Sequence, residues 1–450
     1  MTLAGRQKIS GKELLLLFAC TLLVRVVCLV VLRSWQFPDE WSFGYEMGRL
    51  GATLASGEGF VLTPDRPSPS ALFPPLYPLI VGGFFSLFGV YSKAAAVGLF
   101  LFQSACAGVI AVCLVILGAH LFNATAGRVA SLLWTVYPTS LFYSVVHIWY
   151  CELALMLLLL TITAAVTARS ALAFHQVALL GGLSGLTVLT DSTMTLYFPL
   201  LLLWMLLTRR GQPAKLGVMV AIWGITAATV VSPWIVRNWL VLGSPTLLKS
   251  NFGKELFTGN SPFSSGANDR TEMARTYAAL DQNEFTYYQR QPELVYNRYL
   301  RDKALEWIRA HPFAFVSLTA RRVSYFWGRI PTLGQRSWLH VAYFGPLLIL
   351  ALYGLVHGVR RRHPLAPIWL FLLVYPLPYY LTHVARARYR YPVEPLVVLL
   401  AAIPLAVWSW QARQPAREHE ALSGPLSSNV HPSSLASLQG SAADHPENSR

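Results

Sequence analysis

The chain has 450 residues, of which 54% are hydrophobic and only 13% are charged, and its formal net charge is +15. Its mean hydropathy of +0.45 excludes an ordinary soluble domain. Apolar runs of about 20 residues recur along the chain, a pattern typical of a polytopic helical membrane protein. The positive charge therefore does not indicate nucleic-acid binding, because excess Lys and Arg in cytoplasmic loops makes such proteins basic.

The first apolar run, 13–32, follows Arg6, Lys8 and Lys12. It is too long for a signal-peptide core and lacks a convincing small-residue cleavage site. We therefore expect a retained anchor with a cytoplasmic N-terminus. The five cysteines lie in or beside apolar runs without any C-x-x-C pair, which predicts small apolar residues and no disulfide framework.

Ten segments have the length and apolar character that predict transmembrane helices. They are 14–32, 94–118, 127–146, 153–169, 174–190, 194–208, 216–238, 339–358, 365–383 and 392–410. A further stretch, 74–90, is ambiguous because about 16 apolar residues are few for a crossing.

Charge decides how the ambiguous stretch 74–90 is interpreted. If it does not cross, the basic loops, for example those containing Arg128 and Arg360, share the cytoplasm with the N-terminus. If it crosses, all of those loops lie outside, which the positive-inside rule disfavours. We therefore predict a re-entrant or interfacial helix on the outer face.

This topology divides the chain into four parts. We predict an N-terminal transmembrane catalytic module (1–238), an extracytoplasmic segment (239–338), C-terminal transmembrane helices (339–410) and a disordered cytoplasmic tail (411–450).

The predicted outer loops have structure of their own. The first outer loop is 33–93, and within it 41–56 has apolar residues at helical spacing, which predicts an amphipathic surface helix. A helix is also expected near 294–310. The remaining outer loops are short, 147–152 and 384–391.

An arginine cluster in the last outer loop contradicts the orientation rule. Arg386, Arg388 and Arg390 lie where positive charge is disfavoured. A bound anion would explain them, and phosphate suits arginine because the guanidinium group binds it with two hydrogen bonds. The alternative is an interfacial cluster on lipid headgroups. Arg237 and Asn238 reach the same face and could assist.

Acidic residues follow two of the predicted spans. Asp39, with Glu40 beside it, follows the first span and could act as a general base, or Asp39 could cap the helix that follows. Glu152 lies close to His147 in a very short outer loop. It could orient the base or the acceptor, or serve only as a favourable partner of a helix dipole.

Two further charged residues lie near the membrane. Asp191 separates two short spans after a glycine-rich helix, so it is either functional or a turn cap. Arg25 lies inside the first span, at a cost of about 3 kcal/mol if central and unpaired, and the sequence leaves open whether it pairs or snorkels. No metal-ligand pattern stands out. The sequence firmly implies no cofactor, although it leaves a divalent metal open.

The acidic Pro38-Asp39-Glu40 after the first span resembles the GT-C glycosyltransferases that use polyprenyl-phosphate sugars. Within that group the chain is similar to the family-39 type, which includes protein O-mannosyltransferases and the bacterial aminoarabinose transferase acting on lipid A. Further matches, over roughly residues 10–410, are Gly57-Glu58-Gly59-Phe60, Pro74-Pro75-Leu76-Tyr77-Pro78, Leu87-Phe88-Gly89, Pro233-Trp234, Arg237-Asn238, Gly259-Asn260, His311-Pro312 and Arg390-Tyr391-Pro392-Val393-Glu394-Pro395.

The resemblance implies an all-α polytopic GT-C fold with about ten transmembrane helices, interfacial helices and a small extracytoplasmic segment. It implies that Asp39 corresponds to the family's catalytic aspartate and Glu152 to its second-loop acid. The chain departs from the pattern at Phe43, where relatives often have Tyr, and at Phe73, where some have Lys. Without that Lys, the arginine cluster must contribute more of the phosphate binding, or the donor differs.

The expected function is an inverting hexosyl- or pentosyltransferase in a bacterial inner membrane. It would move a sugar from a polyprenyl-phosphate donor to a hydroxyl of a glycolipid, polysaccharide or protein on the outer face. Membrane lipids are the other expected partners, and nucleic acid is not expected. The alternative is a transporter or flippase of a lipid-linked sugar, although no paired halves with broken helices are evident. A non-catalytic scaffold is a third reading, which leaves the outer charges without a role.

Overall fold

The computed structural model describes residues 9–36, 43–62, 68–168, 173–208, 213–246, 248–267, 269–329, 331–334, 336–384 and 386–411. Within these ranges the chain forms helices and no strands, apart from one isolated bridge between Val61 and Pro69, so the all-α prediction is confirmed. The predicted site residues Asp39 and Glu40 lie outside the described residues, as does the predicted tail beyond 411. All contacts below lie in the unit Met1–Ala406.

The helices follow the apolar runs of the sequence. The first ten are α1 (Gly11–Leu32), α2 (Glu46–Ala55), α3 (Leu76–Phe88), α4 (Lys93–Leu121), α5 (Ala124–Thr135), α6 (Pro138–Val145), α7 (Cys151–Thr167), α8 (Phe174–Val188), α9 (Tyr197–Thr208) and α10 (Pro213–Leu242). The next five, in the predicted extracytoplasmic segment, are α11 (Phe252–Gly259), α12 (Arg270–Ala278), α13 (Gln282–Gln289), α14 (Glu293–Ala310) and α15 (Pro312–Trp327). The last four are α16 (Arg336–Arg360), α17 (Ala366–Val374), α18 (Leu377–Leu381) and α19 (Glu394–Gln411).

Four helices, α1, α4, α10 and α16, are long and apolar enough to cross a membrane by length and composition. The other predicted spans correspond to shorter apolar helices. Two of these spans are interrupted, between α5 and α6 before Pro138 and between α17 and α18 at Pro376. Proline lacks an N–H and therefore cannot continue the hydrogen bonding of a preceding helix. The number of crossings stays a prediction.

Two predictions about the first outer loop are met by helices. The amphipathic stretch forms α2, which begins at Glu46 and buries Met47 and Leu50. The ambiguous stretch forms α3, whose 13 residues span about 20 Å, less than the hydrocarbon core of a bilayer. Whether α3 is re-entrant or interfacial stays a prediction. The helix expected near 294–310 is confirmed as α14.

Small residues set the closest helix contacts. A Cβ added to Gly118 of α4 would collide with the backbone of Gly127 in α5. A Cβ on Gly181 of α8 would collide with the backbone of Trp223 and the hydroxyl of Thr226 in α10. Such glycines let helix backbones approach closely in apolar surroundings, where van der Waals packing drives helix association. The glycine-rich run noted in the sequence is therefore a packing surface.

Arg25 is fully buried in α1 and is satisfied inside the bundle. Its guanidinium group donates to the hydroxyls of Ser140 and Ser144, at 2.7 and 3.1 Å. Glu152 Oε1 accepts hydrogen bonds from the same two hydroxyls, at 3.2 and 2.9 Å, and from Tyr391 at 2.6 Å. The two buried charges therefore compensate each other through the serines they share. Of the two possibilities that the sequence leaves open for Arg25, the structure shows pairing and not snorkelling.

The helices of the predicted extracytoplasmic segment are attached to the bundle at several points. Glu293 of α14 accepts from the Ser70 hydroxyl at 2.7 Å and from the Ala71 amide at 2.9 Å. The buried Arg322 of α15 donates to the carbonyls of Gly259 and Leu381. These contacts hold α11 and α15 against the loop that follows α18, which contains the predicted arginine cluster.

Candidate active site

Two adjoining cavities lie where the predicted outer loops converge. The larger has a volume of about 940 Å³ and the smaller about 330 Å³. Glu46 and Arg388 line both cavities. His147 lines the larger one and Lys249 the smaller one, so side chains from all four predicted outer regions meet here.

The larger cavity has mostly apolar and aromatic walls. Much of its apolar surface comes from α6 and from α16, both parts of predicted spans. The apolar and aromatic lining residues are Tyr45, Pro138, Phe142, Tyr143, Trp149, Leu339, Ala342, Tyr343 and Ala387. Arg270, Arg386 and Arg388 contribute its cationic groups. A cavity with this lining suits an apolar chain that carries an anionic head.

The smaller cavity is lined by connecting segments and their flanking helix ends and has a more polar character. Ser192 and Thr193 contribute hydroxyls, and Asn251 contributes an amide. Lys249 and Lys254 contribute amines from the segment between α10 and α11 and from α11 itself. This composition suits a polar ligand.

Arg388 lies in the 3-10 turn Ala387–Tyr389 between α18 and α19. Its guanidinium carbon lies 4.3 Å from the centre of the Trp149 ring. Its Nε is buried and donates to no group among the described residues, and no described carboxylate lies within 4.0 Å of the guanidinium. A buried Nε–H without an acceptor among the described residues is costly, and an anion between the two cavities would compensate it.

The pKa of His147 reflects both its burial and the positive charges of the neighbouring arginines. Burial, and then the charges of Arg388 and Arg386, lower the pKa of His147 to about 4. The imidazole is therefore neutral at pH 7 and has one donor and one acceptor nitrogen. The His147 residue lines the larger cavity.

Glu46, the first residue of α2, was missed by sequence reasoning. Its carboxylate lines both cavities, and it forms no hydrogen bond or ion pair with another described residue. In the sequence it is only one more acid at the start of an amphipathic helix. Its position in the same cavities as Arg388 depends on contacts between segments far apart in the chain.

The three arginines of the cluster lie in two different environments. Arg386 is exposed and lines the larger cavity together with Arg388. Arg390 is fully buried, forms an ion pair with Glu394 at 3.0 Å and donates to the carbonyl of Gly328 at 3.1 Å. It lines neither cavity and instead anchors the start of α19.

Two acids predicted from the sequence also lie off the cavity walls. Glu152 is fully buried in the network with Arg25. Asp191 accepts from the amide and the hydroxyl of Thr193, at 3.0 and 2.6 Å, and so caps the turn Ser192–Met194, which is the cap alternative.

Arg237 and Asn238 lie next to the outer loop and line neither cavity. Arg237 donates to the carbonyl of Ser70 at 2.9 Å and to Asn238 Oδ1 at 3.0 Å. Asn238 donates to the carbonyl of Thr246 at 2.9 Å. Asp39 lies outside the described residues and precedes the cavity-lining Gly44 by five positions.

An acid–imidazole pair, also unanticipated, lies in the smaller cavity. Glu255 of α11 and the buried His383 are 2.5 Å apart. Burial raises the pKa of Glu255, but the hydrogen bond and charge of His383, together with Lys249 and Lys254, lower that pKa to about 2 overall. Among the described residues, no group of three His, Cys, Asp or Glu side chains could hold a metal ion.

Comparisons with known proteins bear on the fold. No protein-family model and no curated protein matches the chain. The oligosaccharyltransferase AglB from Archaeoglobus fulgidus, in complex with an inhibitory peptide and a dolichol-phosphate, aligns with a TM-score of 0.51 and 13% identity over 92% of this chain and 52% of AglB. An Archaeoglobus fulgidus oligosaccharyltransferase tethered to an acceptor peptide gives a TM-score of 0.54 and 14% identity, over 92% of this chain and 51% of that protein. ArnT from Cupriavidus metallidurans bound to undecaprenyl phosphate aligns over 93% of this chain and 82% of ArnT at 14% identity, but its TM-score of 0.37 carries no argument.

AglB is a GT-C glycosyltransferase, and the GT-C fold predicted from the sequence is therefore confirmed. The chain is an integral membrane protein of this fold class. It spans about half the length of AglB, and the low identity shows the fold alone.

Proposed function

We propose that this chain is a glycosyltransferase that moves a sugar from a polyprenyl-phosphate donor to an acceptor hydroxyl on the outer face of the membrane. The observation that carries the proposal is Arg388, which lies in the wall between an apolar cavity and a polar one and whose buried Nε has no hydrogen-bond acceptor among the described residues. The AglB structure that contains a dolichol-phosphate supports a lipid-linked phosphate as donor.

The donor would occupy the larger cavity. Its apolar tail would pack against α6 and α16, and its phosphate would accept hydrogen bonds from Arg388 and Arg386. The neutral His147 offers a further donor nitrogen. The sugar would then lie beside Glu46, whose carboxylate has no hydrogen-bond partner among the described residues and can accept hydrogen bonds from sugar hydroxyls.

The acceptor would approach through the smaller cavity. Its hydroxyl oxygen forms a bond to the anomeric carbon as the bond from that carbon to the phosphate oxygen breaks, and direct displacement inverts the configuration. The hydroxyl proton passes to the carboxylate of Asp39, the base proposed from the sequence. The polyprenyl phosphate leaves as an anion that Arg388 stabilises, and such preorganised stabilisation is often the largest single contribution to the rate.

The test measures transfer of labelled sugar from a polyprenyl-phosphate donor by the full chain in membranes. We expect Arg388→Gln to lower kcat/KM by roughly 10²–10³-fold, because it removes charge stabilisation of the leaving group. Asp39→Asn should lower it by about 10²–10⁴-fold through loss of the base. Arg360→Gln and Glu58→Gln, which change exposed residues outside both cavities, are the matched controls.

Near-normal transfer by folded, inserted Arg388→Gln protein would overturn the phosphate role.

The transporter alternative makes a different prediction. In reconstituted vesicles it requires movement of the lipid-linked sugar across the bilayer with the bond between sugar and phosphate intact.

A further inference from the structure

We infer that the smaller cavity binds an anionic group of the acceptor, a phosphate or a carboxylate, through Lys249 and Lys254. This inference rests on the proposed glycosyl transfer, because it assigns the smaller cavity to the acceptor. It adds the chemical class of the acceptor, which the sequence leaves open.

Lys249 is the central observation. It is half-buried on the cavity wall, with its amine 5.5 Å from the centre of the Phe73 ring. Lys254 is the third residue of α11 and lines the same cavity. Neither amine has a described acid within 4.0 Å, so neither charge is neutralised by an ion pair among the described residues.

The two acids that line the cavity, Glu46 and Glu255, form no ion pair with either lysine within 4.0 Å. Glu255 is bound to His383 at 2.5 Å, which leaves its carboxylate with a strong partner of its own. Glu46 and Arg388 line both this cavity and the larger one, whereas Lys249 and Lys254 line the smaller cavity and not the larger one. The two lysines are therefore cationic groups particular to the smaller cavity.

The remaining lining fits a charged sugar. Asn251, Ser192 and Thr193 offer hydrogen bonds to hydroxyl groups, and Phe73 offers an apolar face. The volume of about 330 Å³ is at the lower end of the range for small-molecule sites, about 300–1,000 Å³. A single sugar residue with one anionic substituent is a ligand of suitable size and chemistry.

The first experiment measures binding without turnover. Purified full-length protein in dodecyl maltoside is mixed with octyl glucoside, octyl glucuronide or octyl glucoside 6-phosphate, and the shift of the thermal unfolding midpoint gives the affinity. We expect the two anionic probes to bind about tenfold more tightly than the neutral one. Lys249→Gln and Lys254→Gln should each remove most of this preference, and Lys249→Arg should retain it.

The matched control is Lys303→Gln, which removes the same charge from α14, where Lys303 forms an ion pair with Glu284 at 3.0 Å. That substitution should leave the preference unchanged. The second experiment measures transfer to the same three probes. Lys249→Gln should raise the acceptor KM about tenfold and leave the donor KM unchanged.

The outcomes separate the two proposals. Equal binding of all three probes, or a preference unchanged in both lysine variants, overturns the anionic-acceptor site. A rise in donor KM with unchanged acceptor KM also overturns it, because the cavity would then hold the donor phosphate. Lysine-dependent binding of the anionic probes without transfer to any acceptor would support the anion site and count against glycosyl transfer. A stronger effect of the phosphate or of the carboxylate probe identifies which group the acceptor carries.

Discussion

Replacing Glu255 with Gln removes the carboxylate that binds His383 at 2.5 Å. That contact joins α11 to the loop after α18, only a few residues before Arg386 and Arg388. The substitution therefore tests whether the predicted extracytoplasmic segment holds the cavity arginines in place. Gln keeps the size of the side chain but cannot form the ion pair.

The magnitude follows from the pKa of Glu255, which falls from 4.5 to about 2. Full conversion of that difference corresponds to about 3 kcal/mol. Because 34% of the side chain is exposed, we expect solvent screening to leave about 1–2 kcal/mol. The folded-state pKa lies below the ordinary value. The contribution is therefore present above about pH 4.5 and is lost as the pH falls through about 2.

Amide hydrogen exchange detects such a local change, because segments open with their own free energies. At pH 7 we expect Glu255→Gln to speed exchange about 5–30-fold in peptides covering 252–260 and 382–391. The matched control is Glu306→Gln, which removes an exposed carboxylate from α14. After correction for intrinsic rates, the difference between wild type and Glu255→Gln should shrink between pH 4.5 and pH 3.

Two results would refute this reasoning. Unchanged exchange of both peptides in Glu255→Gln at pH 7 would show that the pair contributes nothing to holding the loop. A difference that stays constant from pH 7 down to pH 3 would show that the ionised carboxylate of Glu255 is not the source of the stabilisation.

Two further predictions concern the scaffold. Arg25→Met should lower stability by about 3–5 kcal/mol, because it leaves the buried Glu152 without a compensating charge, and the thermal unfolding midpoint in detergent measures it. Gly259→Ala should cost about 1–3 kcal/mol, since its Cβ would press on the carbonyl of Thr382 and displace the loop before Arg386. It should also reduce sugar transfer, whereas Gly224→Ala, which has open space around the added Cβ, should do neither.

The candidate site shows why sequence reasoning was incomplete. The charge rule singled out Arg386 and Arg388, because it needs only the order of the spans. Both residues line the larger cavity, and their phosphate-binding role stays a prediction. The same rule could not separate them from Arg390, since all three share one loop. Arg390 differs because Glu394 lies one helical turn away and its carboxylate forms an ion pair with Arg390. Among the described residues, neither of the other two arginines forms an ion pair with Glu394.

The sequence by itself determined the helical membrane architecture. Apolar runs and surface periodicity are local properties, so the predicted spans, the amphipathic helix α2 and the helix α14 could be read without knowing any contact. The tertiary structure decided which polar groups meet. Glu46, Lys249 and Arg388 come from three distant segments, and only their packing around two cavities brings them together. A pairing between distant residues leaves no periodic trace in a single sequence, because its geometry depends on every helix between them.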